Sequence, residues 1–171
     1  ASQLTIPCYD LTTTGKEGII LMLKVKITCD STCDLTPELY ARYGVSVIPL
    51  CVALGDRLCK DGVDVAPQEL FSYVEETGQL PTTSAISEGE YTDFFRPLVE
   101  NGYEVVHINL SSELSSSHRN ACLAAQEVGN VHIIDSRSLS TGSGHLVILA
   151  AELASAGFDG AYIAKGLGGM R

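Results

Sequence analysis

Five serines crowd the stretch INLSSELSSSHRN: Ser111, Ser112, Ser115, Ser116 and Ser117. They fall between the run Glu104 to Leu110, which reads as a buried strand, and the alanine-rich run Asn120 to Val128, which reads as a helix. A junction of this kind directs serine hydroxyls and the first N–H groups of a helix at one point, where the positive end of the helix dipole favours an anion. The plainer reading is that Ser111 or Ser115 caps the helix. One cap uses one hydroxyl, so five leave room for an anion as well, and local sequence leaves both readings open.

Two more polar turns follow apolar runs in the same way: Asp30, Ser31 and Thr32 after KVKITC, and Asp135 to Ser138 after VHII. The loop from Leu80 to Glu90 adds Thr82, Thr83, Ser84 and Ser87. The candidate ligand contacts on these turns are Ser31, Thr83, Ser84, Ser112, Ser115 and Ser116. His107 lies inside an apolar strand and reads as a core or edge residue rather than a base. His118 follows the serine cluster directly, either as a solvated first-turn residue or as a ligand contact.

The signatures of catalysis are missing. Gly142-Ser143-Gly144 falls short of the G-x-S-x-G elbow, and its serine follows a loop. A dinucleotide fingerprint opening at Gly142 would need glycine where Val147 stands. The sequence has no Walker lysine and no set of nucleophile, base and orienting group. The chain reads as a binding protein and not an enzyme.

The elements that position these residues alternate. Lys24 to Cys29 reads as a strand, followed by a helix with Thr36 as N-cap, Pro37 at its first position and Gly44 at its end. Val45 to Leu54 reads as a second strand, with Gly55-Asp56 turning into a short return strand. Pro67 opens a helix closed by Gly78, and a helix from Tyr91 to Gly102 leads to the serine-bearing strand, shortened or kinked by Pro97. Val131 to Asp135 is a further strand, His145 to Gly157 an apolar helix, and a short helix ends the chain. The predicted fold is α/β, a mainly parallel sheet with helices on both faces, and in such sheets ligands collect at the carboxyl ends of the strands.

With 171 residues, 45% apolar and 6% aromatic, the chain holds one ordinary domain or one plus a fragment. The formal net charge of −10 argues against nucleic acid and against an anionic membrane surface. Residues 1–21 have neither a signal peptide's pattern nor an apolar run long enough to span a membrane, and they read as a leader of unknown role. Six cysteines, Cys8, Cys29, Cys33, Cys51, Cys59 and Cys122, sit largely in apolar runs where a reduced thiol behaves as a small hydrophobe, which points to a reducing, cytoplasmic setting. Their spacing matches no paired zinc knuckle, so no metal is expected.

Taken in order, DST-x-DL at Asp30 to Leu35, VIPL at Val47 to Leu50, DGVDV at Asp61 to Val65, PTTS at Pro81 to Ser84, LSSELS at Leu110 to Ser115, IIDS at Ile133 to Ser136 and STGSG at Ser140 to Gly144 resemble the DegV family of bacterial fatty-acid-binding proteins. The resemblance runs from about Met22 to the terminus. It implies a carrier that holds one long-chain fatty acid, with no other cofactor, and presents its carboxylate to a partner fatty-acid kinase. On matching positions it implies that Thr83 and Ser115 hydrogen-bond the carboxylate. The chain departs from the family pattern at Ala85 and Ile86, where Gln-Pro is usual, and at Ser116, Ser117 and His118, where Gly-Thr-Tyr is usual. The resemblance also implies a DegV-like domain over residues 22–157 and the start of a lid-like second domain over 158–171, largely missing, as in a truncated member. The competing reading is a sugar-phosphate-binding or isomerase domain with a serine-rich phosphate loop. Phosphate would favour basic residues near the turn, and only Arg119 is close.

Overall fold

A computed structural model describes residues 24–169. The expected leader, residues 1–21, lies outside the described residues. Strands β1 (Lys24–Asp30), β2 (Ser46–Ile48), β6 (Tyr103–Asn109) and β7 (Val131–Asp135) form a four-stranded sheet in the order β2-β1-β6-β7, parallel throughout. A second sheet is antiparallel and has the order β4-β3-β5, from β3 (Cys51–Leu54), β4 (Arg57–Lys60) and β5 (Thr82–Ser84).

Alternation along the central strands sorts the core into two layers. Ile27 and Cys29 of β1 and Val106 and Ile108 of β6 face helices α1 (Pro37–Tyr43), α5 (Thr141–Ser155) and α6 (Gly160–Gly168), meeting Val147, Ala150, Ile163 and Leu167. Val105 faces the opposite side, towards α3 (Glu88–Glu100) and α4 (Ser117–Val128), with Tyr91, Phe95, Ala121 and Ala124. The small sheet has its own cluster of Val52, Leu54, Cys59 and Val65 under α2 (Pro67–Thr77). Helix α6 falls in the segment 158–171 and sends Ile163 and Leu167 into the first of these layers.

The structure redraws four boundaries. The run Val45 to Leu54 is two strands in different sheets, because Pro49 has no N–H for a ladder and the Leu50 N–H donates to Ser31 Oγ at 3.1 Å. The loop from Leu80 contains β5, which is too short and too polar to show a strand's apolar period. Helix α3 begins at Glu88, a turn earlier than expected, because Ser87 and Glu90 form a capping box, and it continues through Pro97 to Glu100. Helix α5 likewise begins at Thr141. Its Gly144 lies so close to the preceding 3-10 turn (Ser31–Cys33) that a Cβ there would stand 2.7 Å from the Cys33 carbonyl oxygen. The two glycines of STGSG therefore serve close packing rather than a phosphate loop.

Candidate functional site

Three adjacent strands of the parallel sheet each end in a side chain that accepts or donates hydrogen bonds: Asp30 on β1, Asn109 on β6 and Asp135 on β7. Asp30 is fully buried. Its Oδ1 accepts from the Thr32 N–H at 3.0 Å and hydroxyl at 2.5 Å, and its Oδ2 from Asn109 Nδ2 at 2.9 Å and the Leu110 N–H at 2.7 Å. The carboxylate thus ties β1 to β6 and does not face a ligand. Ser31 beside it is engaged by Leu50 and lines a different hollow, an apolar groove of about 610 Å³ with Tyr40, Val47, Pro49 and Val63.

The serine turn divides into two halves. Ser112 gives its hydroxyl to Asp135 Oδ2 at 2.6 Å and its N–H to Oδ1 at 3.1 Å, and the Arg137 N–H adds a third donor at 3.0 Å. Burial works to raise the Asp135 pKa, but the Ser112 hydroxyl and the two N–H groups outweigh it and hold the carboxyl below its ordinary range. Ser112 in this arrangement is a partner of Asp135. Ser115 lies on the other half, its Oγ 3.0 Å from Ser117 Oγ and accepting from the Ser117 N–H at 3.1 Å. Ser115 therefore does satisfy a first-turn N–H of α4, while the N-cap itself, Ser116, is exposed and makes no side-chain capping bond. Ser112, Ser115, Ser116, His118 and Arg119 line an open cavity of about 440 Å³.

Strand β5 is bolted to this turn through one buried residue. The Ile86 N–H donates to Ser117 Oγ at 3.1 Å, and the Ile86 carbonyl accepts from Asn120 Nδ2 at 2.7 Å. Thr83 and Ser84, three and two positions earlier, are exposed and stand opposite Val52 and Cys51 of β3. Being neighbours in a strand they project to opposite faces, so a head group on one face meets one of the two.

Behind the turn lies a polar chain that sequence reasoning missed. Asn109 Nδ2 donates to the Tyr91 hydroxyl at 2.9 Å as well as to Asp30 Oδ2 at 2.9 Å. Burial pushes the Tyr91 phenol up, so it keeps its proton. The available signal was the polar residue that closes each apolar run, Asp30, Asn109 and Asp135. His107 sits beside this chain within a cage of Tyr91, Phe94 and Phe95, ring centroids 5.2 to 6.5 Å away, and shares a 2.9 Å hydrogen bond with Thr28. Burial, with a contribution from His118, pushes its pKa down to about 3, so it is a neutral core residue. His118 lines the cavity and places Nε2 3.6 Å from Cys122 Sγ. Among the described residues no group of three or more His, Cys, Asp or Glu side chains is placed to hold a metal ion, five cysteines are free thiols, and no helix is long and apolar enough to cross a membrane.

The architecture is that of an α/β domain with hydroxyl-lined turns at the carboxyl ends of its parallel strands, the place where such sheets commonly hold ligands. A profile of the family described as uncharacterised protein, DegV family, matches residues 24–171, and the chain belongs to that family. A DegV domain-containing protein of Clostridium perfringens is 34% identical over 138 residues, which cover 80% of this chain and 50% of that protein. Among solved structures, a fatty-acid-binding DegV family protein from Thermus thermophilus matches with a TM-score of 0.78 at 34% identity, over 85% of this chain and 52% of that one. A stearic-acid-binding protein from Eubacterium ventriosum matches with a TM-score of 0.76 at 29% identity, over 84% and 52%. The chain spans about half the length of these relatives.

Proposed function

We propose that this domain binds a long-chain fatty acid without transforming it, holding the carboxylate on hydroxyls of the strand-end face, with Thr83 and Ser115 as the principal donors. The observation that carries the reading is the double hydrogen bond of Ile86 to Ser117 and Asn120, which fastens the threonine strand to the serine turn. The relatives from Thermus thermophilus and Eubacterium ventriosum are fatty-acid and stearic-acid binders. Of the six candidate contacts, Ser116 and one of Thr83 and Ser84 are open to a head group, and Ser115 meets one by turning its hydroxyl from Ser117 Oγ. Ser112 acts through Asp135, and Ser31 belongs to the separate apolar groove. At about 0.8 kcal/mol per buried CH₂ a long acyl chain offers roughly 10 kcal/mol, so the chain supplies affinity and neutral hydroxyls supply orientation. The reading extends to a cytoplasmic protein that presents its ligand to a fatty-acid kinase, with a second domain, opening within residues 158–171, that covers the acyl chain.

Lipid extraction and mass spectrometry of protein purified from a bacterial host test this directly. Co-purified fatty acid, or saturable binding of added fatty acid, is the expected result. No fatty acid and no saturable binding, together with binding of a sugar phosphate, would replace the reading with a phosphate-binding one.

A further inference from the structure

Helix α4 carries a thiol and an imidazole that the proposed carboxylate site does not employ. His118 lies in its first turn and Cys122 one turn later, a spacing that sets two side chains on the same face of a helix. His118 Nε2 stands 3.6 Å from Cys122 Sγ, hydrogen-bonding distance for sulfur. Both side chains are half-buried, and His118 lines the open cavity of about 440 Å³ beside the serine turn, so the pair is reached from solvent. The other described cysteines differ. Cys29, Cys33 and Cys59 are buried, and Cys51 is half-buried on β3 but stands opposite Lys60 and Ser84 rather than a histidine. A thiol attacks an electrophilic oxygen as the thiolate. Burial and the Asp135 carboxylate push the Cys122 thiol up, so at neutral pH the sulfur keeps its proton until a base in contact with it takes that proton. His118 is such a base whenever its Nε2 is unprotonated. Moving the proton from Sγ to Nε2 sets a thiolate beside an imidazolium and leaves the net charge facing Asp135 unchanged. The carboxylate that opposes an isolated thiolate therefore does not oppose the pair.

We propose that Cys122 and His118 form a modification site at which hydroperoxides oxidise the thiol, with His118 as the base. The sulfur attacks one peroxide oxygen while its proton passes to His118 Nε2. An S–O bond forms, the O–O bond breaks, sulfur gives up an electron pair, and the departing oxygen takes the proton back from His118 to leave as an alcohol or as water. The product is a cysteine sulfenic acid, the reversible first stage of thiol oxidation. This site is independent of the fatty-acid reading.

Limiting hydrogen peroxide tests the site in the full chain, with sulfenic acid trapped by dimedone and each cysteine peptide quantified by mass spectrometry. Cys51, half-buried like Cys122 but without an imidazole in contact, is the reference within the same sample. Cys122 is expected to be labelled at least about tenfold faster than Cys51, short of the roughly hundredfold that a positioned base contributes because its thiol starts out raised. His118→Phe keeps a planar ring and removes both nitrogens, and His118→Gln keeps a polar side chain that is no base. Each is expected to bring the Cys122 rate down to that of Cys51. A loosened fold instead speeds Cys51 and opens the buried Cys29 to labelling, and both are read in the same digest. Slower labelling of Cys122 alone is thus the signature of a lost base. Should His118→Phe fail to fold, His118→Gln decides alone. A parent ratio below about tenfold, or a Cys122 rate unchanged in the folded variants, overturns the proposal.

Discussion

Ser115 and Ser112 stand three positions apart in one turn and do different work, and substitution separates them. Deleting a hydroxyl that meets a charged acceptor costs about 1.5–3 kcal/mol. Thr83→Ala and Ser115→Ala are each expected to weaken fatty-acid binding by roughly tenfold to hundredfold in titration calorimetry. Ser138→Ala, on a half-buried side chain whose hydroxyl donates to the neighbouring Leu139 carbonyl, is expected to bind as the parent does. Full affinity in both single variants would move the carboxylate site elsewhere. Ser112→Ala is expected instead to raise the Asp135 pKa by removing its hydroxyl donor, visible in a carboxyl-carbon NMR titration; an unmoved Asp135 would show that backbone N–H groups alone hold it. The serine turn was legible in the sequence because residue type and position after an apolar run are both local. The chain from Asp30 through Asn109 to Tyr91 was not, since its key contact joins residues 79 apart in sequence and no local pattern encodes that distance.

At the scale of elements, the alternation of strand and helix could be read because four of the strands and most helices carry an apolar period. Strand β5 carries none: three exposed hydroxyl residues acquire strand geometry only from the neighbouring β3. Tertiary pairing likewise overrides the continuous apolar run that conceals β2 and β3. Helix α5 depends on the absence of a side chain at Gly144. Alanine favours a helix by up to about 1 kcal/mol over glycine, but its Cβ would press on a backbone carbonyl that cannot swing aside, and such overpacking costs about 1–3 kcal/mol. The clash wins, so Gly144→Ala is expected to lower the urea midpoint. A raised midpoint would mean that the 3-10 turn yields. Helix α3 depends on Glu90, whose pKa falls to about 2 through its Lys60 contact and the Ser87 N–H and hydroxyl. A depressed carboxylate contributes stability that is complete above its ordinary pKa of 4.5 and is lost as pH falls through about 2. Denaturation of the parent and of Glu90→Gln between about pH 6 and about pH 2 is therefore expected to show a gap that is constant at the upper end and closes towards the lower. A gap independent of pH would remove Glu90's charge from the account.

For the molecule as a whole, the chain spans about half the length of its relatives, and the proposed second domain can be tested by adding that length. Joining residues 24–169 to the second half of a full-length relative is expected to tighten fatty-acid binding, by up to about 0.8 kcal/mol for each methylene withdrawn from water. Equal affinity with and without that half would place the whole acyl site within this chain. The strand order carries a separate consequence for how the domain forms. Strand β1 sits between β2 and β6, and its register with β6 pairs Lys24 with Tyr103 and Cys29 with Ile108. On a ribosome, β1 emerges with its β6 edge unmatched until nearly eighty further residues, the separation seen in Asn109 and Asp30, have followed. At about 5–20 residues per second that is a wait of several seconds with an apolar strand edge open to any neighbouring chain, which makes translation speed between β2 and β6, rather than final stability, the lever on soluble yield.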